Sequence, residues 1–125
     1  MPKLQADQVL RFGPYRLDPR GGHLWRGTLE VKLTPKALAV LRHLVRQPGQ
    51  VVSKEAFFRA VWADTVVSDA ALTSCIQELR QALHDEARNP RYIETVHRRG
   101  FRFIATVQSS RVKGQRPNQS LAPNT

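Results

Sequence analysis

Three arginines cluster between two stretches of alternating apolar residues: Arg98 and Arg99 within His97-Arg98-Arg99-Gly100, and Arg102 just beyond. Guanidinium groups this close together bind oxyanions, and a polyanion most strongly, because neutralised phosphates release their counterions. The whole chain shares the bias, with Lys+Arg 20 against Asp+Glu 10 in 125 residues and a formal charge of +10. A polyanion is therefore the leading partner class, with nucleic acid and an anionic membrane surface as the two candidates. Other chemistry finds no residues to carry it. There is no glycine-rich phosphate loop, no nucleophile elbow and no paired acids in a catalytic setting. Asp64, Asp69, Asp85 and Glu86 read as loop and helix-end charges. His23, His43, His84 and His97 are far apart and lack the spacing of a metal motif, and the lone Cys75 excludes an intramolecular disulfide and a thiolate zinc site. The expectation is a non-enzyme without metal, cofactor or small-molecule ligand, and Cys75 is expected to be a small packed hydrophobe.

The groups that hold this chemistry need a core behind them. Hydrophobic residues at 41% and charged ones at 24% are enough for one domain of ordinary size. The longest apolar run, Ala37-Leu38-Ala39-Val40-Leu41, is far short of the roughly twenty residues of a membrane span. Met1 to Phe12 lacks the apolar region of a secretory signal, which with the single cysteine suits a cytoplasmic chain.

Residues 9–33 read as a tight antiparallel meander: Val9 to Phe12, Tyr15 to Leu17, His23 to Arg26, and Thr28 to Leu33, separated by Gly-Pro, Asp-Pro and Gly turns. In the last piece Leu29, Val31 and Leu33 alternate with polar residues, the period of a half-buried strand. Thr34-Pro35 starts a helix, with Thr34 as N-cap, and Pro48-Gly49 stops it. Ser53 caps a second helix whose apolar side is Phe57, Phe58, Val61 and Trp62. After a loop at Ala63 to Val67, Ser68-Asp69 opens a third helix with a core stripe of Leu72, Ile76, Leu79 and Leu83. Its opposite face is free. Tyr92 to Val107 returns to strand as a hairpin with a basic tip and a glycine suited to positive φ. The reading divides the chain into a flexible N-terminus at 1–8, a domain at 9–107, and a disordered tail or linker at 108–125.

A sheet, three helices and a terminal hairpin, in that order, make an α+β winged helix-turn-helix with an N-terminal antiparallel sheet and a C-terminal β-hairpin wing. In that fold the third helix enters the major groove of double-stranded DNA and the basic wing reaches the backbone or an adjacent groove. Particular residues point the same way: Phe12-Gly13-Pro14-Tyr15-Arg16-Leu17-Asp18-Pro19, Leu33-Thr34-Pro35-Lys36, Val51-Val52-Ser53-Lys54-Glu55 with Val61-Trp62, Ile76-Gln77-Glu78-Leu79-Arg80, and Ile93-Glu94-Thr95-Val96 through Arg99-Gly100-Phe101-Arg102-Phe103. Over roughly residues 10–106 the chain resembles the OmpR/PhoB-type winged-helix domain of bacterial transcription regulators.

The resemblance implies sequence-specific DNA binding. It places groove-facing positions at Ala70, Ala71, Ser74, Gln77 and Glu78, and a basic position at Arg80 that serves a phosphate contact or the fold. In the wing it implies a backbone contact at Thr95 and a minor-groove position at His97, with Arg98 and Arg99 beside it and Arg102 a further phosphate contact. The loop with Asp64, Thr65, Val66 and Val67 matches the segment that touches RNA polymerase in some members, and members commonly occupy tandem half-sites as homodimers. The module's place at the chain start is similar to the one-component ToxR/CadC-like arrangement, with a sensor or effector domain following. Three positions depart from the family pattern. Gln77 and Glu78 stand where arginines are frequent, so base reading would use an amide on adenine and a carboxylate on a cytosine amino group. His97 replaces an arginine, and imidazole carries less charge near neutrality. Ala37 stands where a glutamate usually closes a capping box with Thr34. A winged-helix module that binds protein instead of DNA is the alternative, since fold alone does not fix function.

The charge is unevenly spread. Residues 34–62 hold five basic and one acidic residue and residues 91–125 seven and one, whereas residues 63–90, with the third helix, hold two basic against five acidic. Affinity is expected from scaffold, wing and tail, and selectivity from neutral and acidic side chains of the helix.

Overall fold

A computed structural model describes residues 8–18 and 22–111. Strands β1 (Gln8–Phe12), β2 (Tyr15–Asp18), β3 (His23–Arg26) and β4 (Leu29–Val31) form the expected meander. Alternation builds one face of it, because Leu10, Leu17, Leu24 and Val31 lie opposite one another across the four strands. Leu10, Leu17 and Leu24 are fully buried. Leu29 departs from the expected pattern and is 71% exposed. It pairs with Arg26 on a three-residue edge strand, beyond the rim of the core, where period alone cannot bury a side chain.

Helix α1 (Pro35–Val45) starts as its residues dictate, with Thr34 Oγ1 accepting from the Ala37 N–H at 3.3 Å and Pro35 in the first turn. It buries Ala37, Val40, Leu41, Leu44 and Val45. A short strand β5 (Val51–Ser53) leads into α2 (Lys54–Val61), capped by Ser53 Oγ on the Ala56 N–H at 3.1 Å. Helix α3 (Asp69–Leu83) buries Leu72, Ile76, Leu79 and Leu83, the stripe read from its sequence, together with Cys75. Burial, and after it the nearby Glu78 carboxylate, raises the Cys75 thiol pKa. Strands β6 (Ile93–Val96) and β7 (Gly100–Phe103) make the wing, with β7 paired to β5 on its other side.

Phe12 meets Phe103 edge-on with ring centroids 5.0 Å apart, and Tyr15 meets Tyr92 at 5.7 Å, so the meander and the root of the wing share one aromatic core. Asp85, read as a helix-end charge, is a buried anchor instead. Its carboxylate accepts from the N–H groups of Arg91, Tyr92 and Ile93 at 2.7, 3.2 and 2.9 Å, and so fixes the entry to β6 behind α3.

The domain does not end at residue 107. Strand β8 (Gln108–Arg111) pairs antiparallel with β1 and completes a five-stranded sheet in the order β4-β3-β2-β1-β8. Its hold is main-chain hydrogen bonding to an edge, and Gln108 and Ser109 remain exposed, so it has no apolar alternation to read. Gln8 likewise belongs to β1, while the rest of both expected terminal segments, 1–7 and 112–125, lies outside the described residues.

Candidate nucleic-acid interface

The wet face of α3 includes Ala70, Thr73, Ser74 and Gln77, all exposed at helical spacing. Thr73 was not among the expected positions, although its place three residues after Ala70 and four before Gln77 puts it on the same face. Ala71 is not on that face. It is half-buried and packs against the core, because it sits one residue before Leu72 at the edge of the buried stripe.

Glu78 is half-buried and engaged with the start of α1. Its Oε2 accepts from the Thr34 N–H at 2.7 Å and its Oε1 from the Thr34 hydroxyl at 2.8 Å. That is the job a glutamate three residues into α1 would do in a capping box, and Ala37 stands at that place. The other half of the cap is supplied from α3, which ties the orientation of α3 to the start of α1. Glu78→Ala should therefore lower stability by about 1–2 kcal/mol, as removal of a cap does. Urea unfolding measures it, and unchanged stability with altered base preference would return Glu78 to the reading face.

Arg80 is engaged with the root of the wing. Its Nη2 donates to the Ile93 carbonyl and to Thr95 Oγ1, both at 2.9 Å, so it braces α3 against β6. Burial lowers its pKa, and Asp85 acts in the opposite direction. Thr95 is exposed and accepts this bond. Arg102 is not at the tip: it lies on β7 and donates through Nε to Glu94 Oε1 at 2.8 Å, with Nη2 on the same oxygen. The cross-strand pairing of Glu94 with Arg102 makes that ion pair a brace of the hairpin.

The tip proper is His97, Arg98 and Arg99, all exposed. The Arg99 N–H closes the turn on the Val96 carbonyl at 2.9 Å. Arg98 has φ 66°, in the left-handed region that turns ordinarily give to glycine or asparagine. A basic side chain is held there against a cost of roughly 1–2 kcal/mol.

Helix and tip face one hollow of about 410 Å³, bordered by Thr73 and Gln77 on one wall, Thr95, His97 and Arg98 on the other, and Lys54 at the end. A second, of about 470 Å³, is bordered by Lys54, Phe58, Asp69, Arg98 and Arg99. Lys54 and Arg98 border both. Lys54, like Thr73, was not among the expected positions; it is the first residue of α2 and bonds Asp69 at the start of α3 at 3.2 Å. A lysine directly after the N-cap Ser53 was the available signal. In the loop after α2, Asp64, Thr65 and Val66 are exposed, Val66 completely, whereas Val67 turns inward and packs on the core.

A three-helix core carrying an exposed neutral helix face and a basic hairpin tip on one side defines a winged helix-turn-helix domain. The family model for "Transcriptional regulatory protein, C terminal" matches residues 28–103, and the chain belongs to that family of OmpR/PhoB-type domains. It is 40% identical over 86 residues to the transcriptional regulator HilA of Salmonella typhimurium, covering 69% of this chain and 15% of HilA. Among solved structures, the DNA-binding domain of Escherichia coli CadC matches with TM-score 0.72 at 26% identity, over 85% of this chain and all (100%) of that one. The Klebsiella pneumoniae RstA DNA-binding domain in complex with RstA box matches with TM-score 0.69 at 27% identity, over 77% and 96%.

Proposed function

We infer that this chain is a sequence-specific double-stranded DNA-binding domain of a bacterial transcription regulator. The carrying observation is the shared hollow, in which Thr73 and Gln77 of α3 face His97 and Arg98 of the wing with Lys54 at its end. Neutral side chains that hydrogen-bond base edges lie within one span of cations that hold phosphates, which is the division of labour duplex recognition needs. Ala70 and Ser74 extend the helix face, and Thr95 meets the backbone while keeping its bond to Arg80. The structure of RstA with its DNA box supports the reading by likeness. The exposed loop residues Asp64, Thr65 and Val66 are the proposed contact for RNA polymerase, and self-association is proposed on tandem half-sites rather than in free solution.

Selection on randomised duplexes tests this. A defined sequence should emerge, and Gln77→Ala should relax preference at one or two base pairs by about 1–3 kcal/mol each. Enrichment of no sequence, together with binding unaffected by salt, would favour the protein-interaction alternative.

A further inference from the structure

The duplex-facing hollows use only one of the five basic residues between 34 and 62, Lys54. Lys36 is turned to the Val61 carbonyl at 2.9 Å and to the Trp62 ring. The remaining three, Arg42, Arg46 and Arg59, converge on another side of the molecule. They border two adjoining hollows of about 430 and 120 Å³ that share His43 and Ala60. No acid and no residue of α3 or the wing lines either of them. On α2, the residues that line this side are Ala56, Arg59 and Ala60. Lys54, Glu55 and Phe58 line the other, and Arg59 stands one turn on from Glu55 at the boundary between the two.

The cluster carries an unrelieved repulsion. Arg42, in the last turn of α1, and Arg46, its C-cap, are four residues apart and half-buried, a spacing at which like charges repel. Burial and the charge of Arg42 both lower the Arg46 pKa. Arg42 Nε is buried without a hydrogen-bond partner. Ala39, Ala60 and Val61 line the smaller hollow beside Arg42 and Arg46.

We propose that this face of α1 and α2 docks an acidic, partly apolar polypeptide segment of a partner protein, with Arg42, Arg46 and Arg59 taking its carboxylates. Guanidinium forks match carboxylates in a bidentate fashion, and small hollows lined by Ala39, Ala60 and Val61 beside them admit the apolar side chains of a narrow chain. A duplex seated on α3 and the wing tip runs past the other side of α2. The partner's hollows share only Ser53 with those of the proposed duplex site, so partner and DNA are held together. The proposal does not depend on the DNA reading.

The test uses the full chain and a fluorescent peptide in which leucine separates pairs of glutamates, at about 0.15 M salt, where diffuse surface attraction is largely screened. Arg59→Glu and Arg59→Ala, both at an exposed position, should weaken peptide binding at least tenfold and about threefold respectively. Arg98→Glu should leave it within twofold. Saturating duplex should not displace the peptide. Equal losses with Arg59→Glu and Arg98→Glu, or no peptide binding by the parent chain, would overturn the proposal. A larger loss of duplex than of peptide affinity in Arg59→Glu would make the face a DNA-backbone contact and overturn it too.

Discussion

Gly100→Ala is expected to destabilise the chain by about 3 kcal/mol or more and to disorganise the wing, through overpacking and backbone strain together. Gly100 has φ +146°, a conformation that side chains disfavour, and lies opposite both Ser53 and Val96 in the middle strand of its sheet. A Cβ there would land on the Val52 carbonyl oxygen and within 3.0 Å of Ser53 Cα. Both neighbours are main chain in a paired strand, so neither can swing aside. Relief requires β7 to move away from β5, which draws Phe101 and Phe103 out of the core. A fall of about 10–20 °C in Tm corresponds to a destabilisation of this size in a domain of this length. A Tm within a few degrees of the parent would show that β7 does not approach β5 as described.

Arg98→Ala with Arg99→Ala should weaken binding to every duplex, roughly ten- to a hundredfold, while leaving the fold intact. The plot of log affinity against log salt should flatten by about 0.9 for each phosphate that the double variant leaves unneutralised. Among the described residues neither guanidinium is paired with an acid, unlike Arg102, whose charge is committed to Glu94. Alanine at residue 98 inherits the same positive φ that arginine tolerates, so the turn has no new strain to bear. Electrophoretic mobility shift at several salt concentrations measures both effects. An unchanged slope with selective weakening on one sequence would mean that the tip reads bases instead of phosphates.

Local signals made the helices legible. Thr34-Pro35 and Ser53 cap as their side chains require, and the spacing of Leu72, Ile76, Leu79 and Leu83 shows which face of α3 is dry. Thr73 was equally legible from that spacing. What resisted reading depends on partners distant in sequence. Glu78 looked free on α3 because the residue it caps lies 44 positions away. The roles of Arg80 and Asp85 were fixed by β6, and those partners leave no periodicity in the chain. Strand β8 escaped notice because an edge strand can be held by its backbone alone. The basic count between 34 and 62 was visible, but the grouping of Arg42 and Arg46 with Arg59, apart from Lys54, was not, since that follows from how α1 packs on α2.

Titrating a short duplex, taken from the selected sequence, into uniformly 15N-labelled chain tests the interface most directly. Resonances of Ala70, Thr73, Ser74 and Gln77, of Lys54, and of His97 to Arg99 should shift together, with Arg42, Arg46 and Arg59 left near their free positions. Shifts confined to the arginine face of α1 and α2, or to the outer side of the five-stranded sheet, would contradict a duplex seated between α3 and the wing.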